Sequence, residues 1–273
     1  MILQKMLLTI KLFRLQSVII MNLFIFLPLE IETGNPVFSI FQTLPFVLMI
    51  AGEIALNDCC DLKKDRINKP QRPLVSGVLK LRYAKIMTGI VILFGIILGI
   101  FMYYPNIKRM LIFMSVAAIL SIYNVRLPFI STIKTFMTAL ATVLSLSFVF
   151  TFIDIPQGIC WFLMTAFMFI LGREFMMDIR DMQGDLRENY KTLAIILGKR
   201  KAIIASLFFI ICSDIFCVLF ILSQFSMIKI ILLVFLIAFE LFCIYHFIKS
   251  ESSVQQNKCI LLLWIPMIFM LLM

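Results

Sequence analysis

Residues 86–104 read IMTGIVILFGIILGIFMYY, nineteen positions without a charge or a proline. A bilayer's hydrocarbon core takes about 20 apolar residues of helix, so this stretch has the length and chemistry of a membrane span. It belongs to a series. Apolar runs separated by polar punctuation predict nine spans, near 16–33, 36–56, 84–104, 109–125, 134–153, 159–178, 201–222, 227–248 and 257–273. The first ends in Glu30 and Glu32, and Pro28 is expected to shorten it. The whole composition agrees with this reading: 62% of the 273 residues are hydrophobic, 15% are charged, and mean hydropathy is +1.06. A soluble domain carries about a quarter charged residues, so this inventory makes neither a water-exposed globular surface nor a disordered chain. The predicted fold class is all-α, a polytopic integral-membrane helical bundle of about nine transmembrane helices, with residues 1–273 as one domain.

The net charge of +10 resembles a nucleic-acid signal, but in a membrane protein basic residues gather on cytoplasmic loops and set orientation. With nine spans and a cytoplasmic N-terminus, only Lys108, Arg109 and Lys229 fall outside, and Arg173 lies within a span. Every other Lys and Arg is cytoplasmic. No nucleic-acid partner is expected. The seven cysteines form no C-x-x-C pair, and the lone His246 makes no multi-histidine metal site. The N-terminal MILQKMLLTIKLFRLQ is too broken by Lys5, Lys11 and Arg14 to be a removed signal peptide.

The acids are where chemistry concentrates. One cluster reads Asn57-Asp58-Cys59-Cys60-Asp61-Leu62-Lys63-Lys64-Asp65; the other runs Asp178-Ile179-Arg180-Asp181-Met182-Gln183-Gly184-Asp185. Both space their acids D-x-x-D-x-x-x-D at the cytoplasmic end of a predicted span. At about 100° per residue, positions i, i+3 and i+7 share one helix face, so each cluster is expected to form a one-sided comb of carboxylates. Like charges on one stripe repel, and a divalent cation resolves that conflict. Solvated helix-end charges would explain one such cluster equally well, but two of matching spacing at matching ends favour a site. Mg²⁺ takes oxygen ligands and bridges carboxylates to phosphate oxygens, and Asn57 adds an amide oxygen one turn before Asp61. Lys63, Lys64, Arg66, Lys69 and Arg72 follow directly and suit a diphosphate leaving group. A weak echo continues beyond both clusters: R-P-L and Gly77 after the first, K-T-L and Gly198 after the second, as in a duplicated helical unit.

The stretch NDCCDLKKDRINKPQRPLVSG, residues 57–77, resembles the first signature of the UbiA superfamily of intramembrane prenyltransferases. Asn57, Asp58, Asp61 and Asp65 fill its N-D-x-x-D-x-x-x-D positions. Arg66, Asn68, Lys69, Pro70, Arg72, Pro73, Ser76 and Gly77 continue the match, and Asp181 with Asp185 matches the second signature, D-x-x-x-D. The resemblance implies a nine-helix bundle around a central cavity that both motifs face. It further implies Mg²⁺ bridging a prenyl diphosphate, whose departure leaves an allylic cation for a lipophilic acceptor in the membrane.

On that reading Asp61, Asp65, Asp181 and Asp185 are catalytic, and with Asn57, Asp58 and Asp178 they form the metal set. Lys69, Arg72 and Arg66 hold the diphosphate, joined by Tyr123 and Arg126. Near Tyr123 the family often carries a Lys a few residues on; this chain has Arg126, which does not shed a proton as Lys does.

The pattern from Arg173-Glu174 to Gly184-Asp185, then Lys191-Thr192-Leu193, is similar to the geranylgeranylglyceryl-phosphate geranylgeranyltransferase branch. Related Gly-Asp motifs occur in pigment and homogentisate prenyltransferases. An aromatic acceptor, or a cyclase needing none, therefore stays open. Among other classes, an ion or solute transporter predicts acids at mid-membrane on broken helices, whereas these sit at span ends. A CDP-alcohol phosphotransferase needs a D-G-x-x-A-R element that is absent.

Glu174 is expected to line the site, while the role of intramembrane Glu53 is left open. Asp214 and Glu240, mid-span and far from either motif, are expected to join helices by hydrogen bonds. The expected location is a cell's inner membrane, with the active-site loops cytoplasmic.

Overall fold

The computed structural model describes residues 2–69, 72–124, 130–153, 155, 157–223 and 227–271. Arg126 lies outside the described residues. Contacts divide the chain into two units, residues 1–127 and 128–273. The first holds α1 (Ile2–Leu12), α2 (Leu15–Thr33), α3 (Pro36–Cys60), α4 (Leu62–Asn68), α5 (Leu81–Tyr103) and α6 (Ile107–Tyr123). The second holds α7 (Ile130–Val149), α8 (Ile159–Arg187), α9 (Leu193–Leu197), α10 (Lys199–Ser223), α11 (Met227–Lys249), α12 (Ser253–Leu262) and α13 (Trp264–Leu271). No strand occurs among the described residues.

Among the described residues six helices are long and apolar enough to cross a membrane: α2, α3, α5, α8, α10 and α11, the last counted over Ile228–Lys249. The runs near 109–125, 134–153 and 257–273 are helical too, as α6, α7 and the α12–α13 pair, which breaks at Leu263. Pro28 does not shorten α2, which continues to Thr33. A spanning helix tolerates the one missing N–H because neighbouring groups re-satisfy the backbone. Gly34 in the left-handed region stops it, and Asn35 caps α3 by accepting from Phe38 N at 3.0 Å, with Pro36 pre-set for the first turn.

Helix α8 overruns its predicted end by about two turns. At 1.5 Å per residue its 29 residues reach about 43 Å, more than the roughly 30 Å thickness of a hydrocarbon core. Its last turns carry the second acid motif. The N-terminal segment, not predicted as an element, folds as α1. It docks through Leu12, which is fully buried with Ala55, Cys59, Leu74, Leu79 and Ala84.

Within each unit, close helix crossings run through glycine. A Cβ on Gly95 of α5 would stand 2.9 Å from the Met49 backbone nitrogen of α3. One on Gly172 of α8 would stand 2.9 Å from the Ser206 carbonyl oxygen of α10. Around that second crossing Ser206 Oγ donates to the Gly172 carbonyl at 2.8 Å, and Ser213 Oγ donates to the Thr165 carbonyl at 3.0 Å. Small residues with hydroxyl bridges are how helices associate in lipid, where burying apolar surface gives no net drive. Phe46, Tyr103 and Phe113 lock the other end of α3, with ring centroids 5.0 and 5.4 Å apart in edge-on pairs. The outward faces carry exposed Phe94 and Phe101 on α5, Phe208 on α10 and Phe235 on α11, a surface suited to acyl chains. The protein is an integral membrane protein.

Candidate active site

The first acid motif sits where α3 gives way to α4. Hydrogen bonds continue through the junction, Asp61 N to the Asn57 carbonyl at 2.8 Å and Asp65 N to the Asp61 carbonyl at 2.9 Å. Yet Asp61 itself leaves helical geometry, with φ −90° and ψ 11°. The straight comb expected from spacing is thus bent at its middle tooth. Asp competes poorly for helix interiors, and the bend lets Leu62 pack onto the cluster built around Leu12, Ala55 and Cys59.

Bending draws the carboxylates inward: Asp58, Asp61 and Asp65 are 3%, 5% and 1% exposed. Each meets a cation. Arg72 Nη1 lies 2.8 Å from Asp58 Oδ1 and also bonds Asp65 Oδ2, so one guanidinium spans both acids. Lys64 pairs with Asp61 at 3.3 Å, and Lys69 approaches Asp65 at 3.9 Å. Arg14, at the α1–α2 junction, reaches Asp58 at 3.5 Å. Asn57 is half-buried one turn before Asp61. Arg66 is exposed and joins none of these pairs. Tyr123 is half-buried at the end of α6.

One turn before Asn57, Glu53 is buried. Its Oε1 accepts from Ser121 Oγ at 2.7 Å and its Oε2 from Asn124 Nδ2 at 2.8 Å. The same Asn124 nitrogen lies 3.2 Å from the Glu53 carbonyl oxygen. Three hydrogen bonds therefore fasten the Tyr123 end of α6 beside the first motif.

The second motif lies wholly within α8, so Asp178, Asp181 and Asp185 do share one face. Asp181 is gripped by its neighbour Arg180 through two bonds of 2.8 and 2.9 Å, and Arg180 Nη1 donates to Asn257 Oδ1 at 2.6 Å. Asp178 accepts from Thr135 Oγ1 at 3.4 Å. Asp185 is fully buried, and its carbonyl accepts from Tyr190 N at 2.9 Å. Glu174 pairs with Arg173 at 3.3 Å, and the Arg173 guanidinium lies 4.2 Å above the Trp264 ring. Asp214 of α10 and Glu240 of α11 are neighbouring acids, but neither Glu240 oxygen has a hydrogen-bond partner among the described residues, so the expected hydrogen bond between these helices is not formed.

Among the described residues no three Asp, Glu, His or Cys side chains converge into a ready-made cation cage. The donors still suit Mg²⁺ by type. They are buried carboxylates with one amide oxygen nearby, and hard cations take oxygen. Arg72 now holds Asp58 and Asp65, Arg180 holds Asp181, and Lys64 pairs with Asp61. Sequence spacing did not point to Arg14 or Arg180. Arg14 is 44 positions from its carboxylate, and Arg180 is simply an unremarked letter inside the second motif.

Comparison with known proteins places these features in context. The UbiA prenyltransferase family model matches residues 23–269. The chain is 29% identical over 210 residues to the digeranylgeranylglyceryl phosphate synthase of Methanosphaera stadtmanae, covering 74% of each. With the synthase of Sulfurisphaera tokodaii it shares 30% identity over 172 residues, 61% of this chain and 60% of that one. A solved structure of a digeranylgeranylglyceryl phosphate synthase superposes with a TM-score of 0.69 at 25% identity, over 98% of this chain and 96% of the other. The fold also matches a UbiA homologue from Archaeoglobus fulgidus bound to GPP and Mg²⁺, with a TM-score of 0.73 at 15% identity over 97% and 98% of the two chains. With the family model covering nearly its whole length, the chain belongs to the UbiA prenyltransferase family.

Proposed function

We propose that the protein transfers a geranylgeranyl group from geranylgeranyl diphosphate to the glycerol hydroxyl of geranylgeranylglyceryl phosphate, in a Mg²⁺-dependent reaction within the membrane. The observation that carries this reading is Arg72 spanning the buried Asp58 and Asp65 where the apolar helix α3 ends, an arrangement that would take a diphosphate head beside an apolar path for its tail. The names and similarity of the synthase relatives support the choice of acceptor.

Asn57, Asp61 and Asp65 would hold one Mg²⁺, and Asp181 and Asp185 another, with Asp58 and Asp178 assisting. Bound Mg²⁺ supplies charge neutralisation to the diphosphate oxygens, which eases departure of the leaving group. Arg72 and Lys69, already beside these carboxylates, bind the diphosphate; Arg66, Tyr123 and Arg126 complete that set. The allylic C–O bond breaks with its electron pair going to diphosphate. The acceptor oxygen then takes the allylic carbon and gives up its proton to a basic oxygen. Apolar helix walls keep water from the allylic cation, which would otherwise be hydrolysed. Residues 1–273 act as one domain of nine spans, in the cell's inner membrane, with the N-terminus and motif loops cytoplasmic; the Lys and Arg distribution supports that orientation.

The test is diphosphate release by purified protein given geranylgeranyl diphosphate and Mg²⁺, with and without geranylgeranylglyceryl phosphate. Release that needs both Mg²⁺ and this acceptor, with a doubly prenylated lipid as product, is the expected result. Release that ignores the acceptor would mean a cyclase, and turnover only with an aromatic acceptor would overturn the ether-lipid assignment.

A further inference from the structure

Beside the first motif lies a cation outside the diphosphate set assigned above, Arg14. Arg14 occupies the break between α1 and α2, with φ 48° and ψ 51°. That left-handed conformation is unfavourable for a residue with a Cβ and persists where the surroundings over-determine it. Here they do. Leu12, two residues earlier, is fully buried against Ala55 and Cys59 of α3, and Phe13 packs on the same cluster. Thr9 Oγ1 lies 3.4 Å from the Tyr83 hydroxyl. The elbow is therefore pinned to the end of α3, and the Arg14 side chain is directed along it to Asp58.

Arg14 differs from the other cations of the motif. Lys64, Lys69 and Arg72 are 13%, 19% and 12% exposed, turned inward on Asp61, Asp65 and the Asp58–Asp65 pair. Arg14 is 39% exposed, and its 3.5 Å contact is to a carboxylate that Arg72 already holds at 2.8 Å. Of these four cations Arg14 is the most exposed, at the longer contact to Asp58. A planar guanidinium on a side chain 39% exposed to its surroundings is suited to a phosphate.

We infer that Arg14 binds the phosphate of the acceptor lipid, an anion distinct from the donor's diphosphate. The inference rests on the acceptor proposed above, since an aromatic acceptor brings no phosphate. Reaction at the glycerol hydroxyl needs the acceptor's headgroup held beside the motif while its tail stays in the membrane. An arginine at the rim of the motif, on an element pinned to α3, meets that need. It also gives the protein a means to reject the same lipid without its phosphate.

The experiment compares the wild-type protein with Arg14→Gln and Arg14→Lys in phosphatidylcholine nanodiscs. The KM of each substrate is measured, for geranylgeranylglyceryl phosphate and for its dephosphorylated alcohol. Equilibrium binding of the phosphorylated lipid is measured without donor. Loss of one charge-assisted contact should raise the acceptor KM about tenfold in Arg14→Gln and erase the preference over the alcohol by the same factor. The donor KM should stay within about twofold, and Arg14→Lys should recover part of the loss. A raised donor KM with an unchanged acceptor KM would assign Arg14 to the diphosphate and overturn the inference. Unchanged constants, or equal competition by phosphatidic acid, would make it an ordinary surface arginine. Binding lost in Arg14→Gln but without turnover in any form would preserve Arg14's role while sinking the proposed reaction. No binding by the wild type would overturn the role itself.

Discussion

Glu53 Oε2 and Asn124 Nδ2 stand 2.8 Å apart, joining the end of α6 to α3 one turn before the first acid motif. Ser121 completes the clasp at 2.7 Å, so a buried carboxylate is neutralised by neutral donors rather than by a cation. Glu53→Ala removes this acceptor from both donors, leaving Asn124 Nδ2 only the 3.2 Å bond to the residue-53 carbonyl, and each lost hydrogen bond costs about 0.5–1.5 kcal/mol. Thermal unfolding in detergent should show a Tm several degrees lower. Glu53→Gln, which keeps one carbonyl oxygen, should fall between. A Glu53→Ala protein as stable as the wild type would show that the clasp contributes nothing.

Arg72 is the hinge of the first motif's charge balance, because one guanidinium serves both Asp58 and Asp65. Arg72→Ala exposes two buried carboxylates to each other and removes the proposed diphosphate contact. Breaking a buried pair by deleting one partner costs about 3–5 kcal/mol. Lower yield of folded protein and a donor KM raised at least about tenfold are expected. Arg72→Lys should restore folding better than donor affinity, since Lys makes no bidentate bridge. A donor KM unchanged in both variants contradicts this role.

Asp61→Ala and Asp181→Ala test the assignment of the acids from both motifs. Each removes a proposed Mg²⁺ ligand while leaving the helices' apolar packing intact, so a folded, inactive protein is the expected outcome. Chelation of the wild type with EDTA should abolish turnover, and excess Mg²⁺ should restore it. Full activity in both variants refutes the metal roles.

The α8–α10 crossing gives a prediction about stability alone. Gly172→Val forces side-chain atoms onto the Ser206 carbonyl oxygen, which a Cβ would already approach to 2.9 Å. Overpacking of this kind costs about 1–3 kcal/mol or more. The variant should unfold earlier in a thermal scan, whereas valine at Gly89, where a Cβ meets nothing within 4 Å, should not. Equal stability of the two variants disproves the tight crossing.

Much of this organisation was legible in the sequence because lipid imposes a simple rule on composition. Each apolar run from 16–33 to 257–273 corresponds to helix, since backbone in hydrocarbon must satisfy itself. Spacing also placed Asp178, Asp181 and Asp185 on one face, because α8 is unbroken there. The same arithmetic failed at Asp61. Whether the helix bends depends on Leu62 finding a hydrophobic cluster assembled from residues 8 to 84, and periodicity carries no record of that. Similarly, Glu53 gained a role only through Ser121 and Asn124, about 70 positions away. Long-range polar pairing is written in the fold, not in local pattern.

The arginine-filled carboxylates have a consequence for the protein's life before it meets substrate. A membrane enzyme must be inserted, folded and stored while its site is vacant, and bare acids crowded at a helix end would push that site apart. Arg72 and Arg180 act as resident counter-ions, so the resting protein is electrically settled without help. If Arg72 turns toward a diphosphate as proposed, Asp58 and Asp65 keep only the longer contacts to Arg14 at 3.5 Å and Lys69 at 3.9 Å, and a divalent ion would make up the lost charge. Loading is then an exchange of partners, in which neither half proceeds far alone. Donor affinity and divalent-ion affinity should rise and fall together, and a cell short of either should hold this protein idle yet intact.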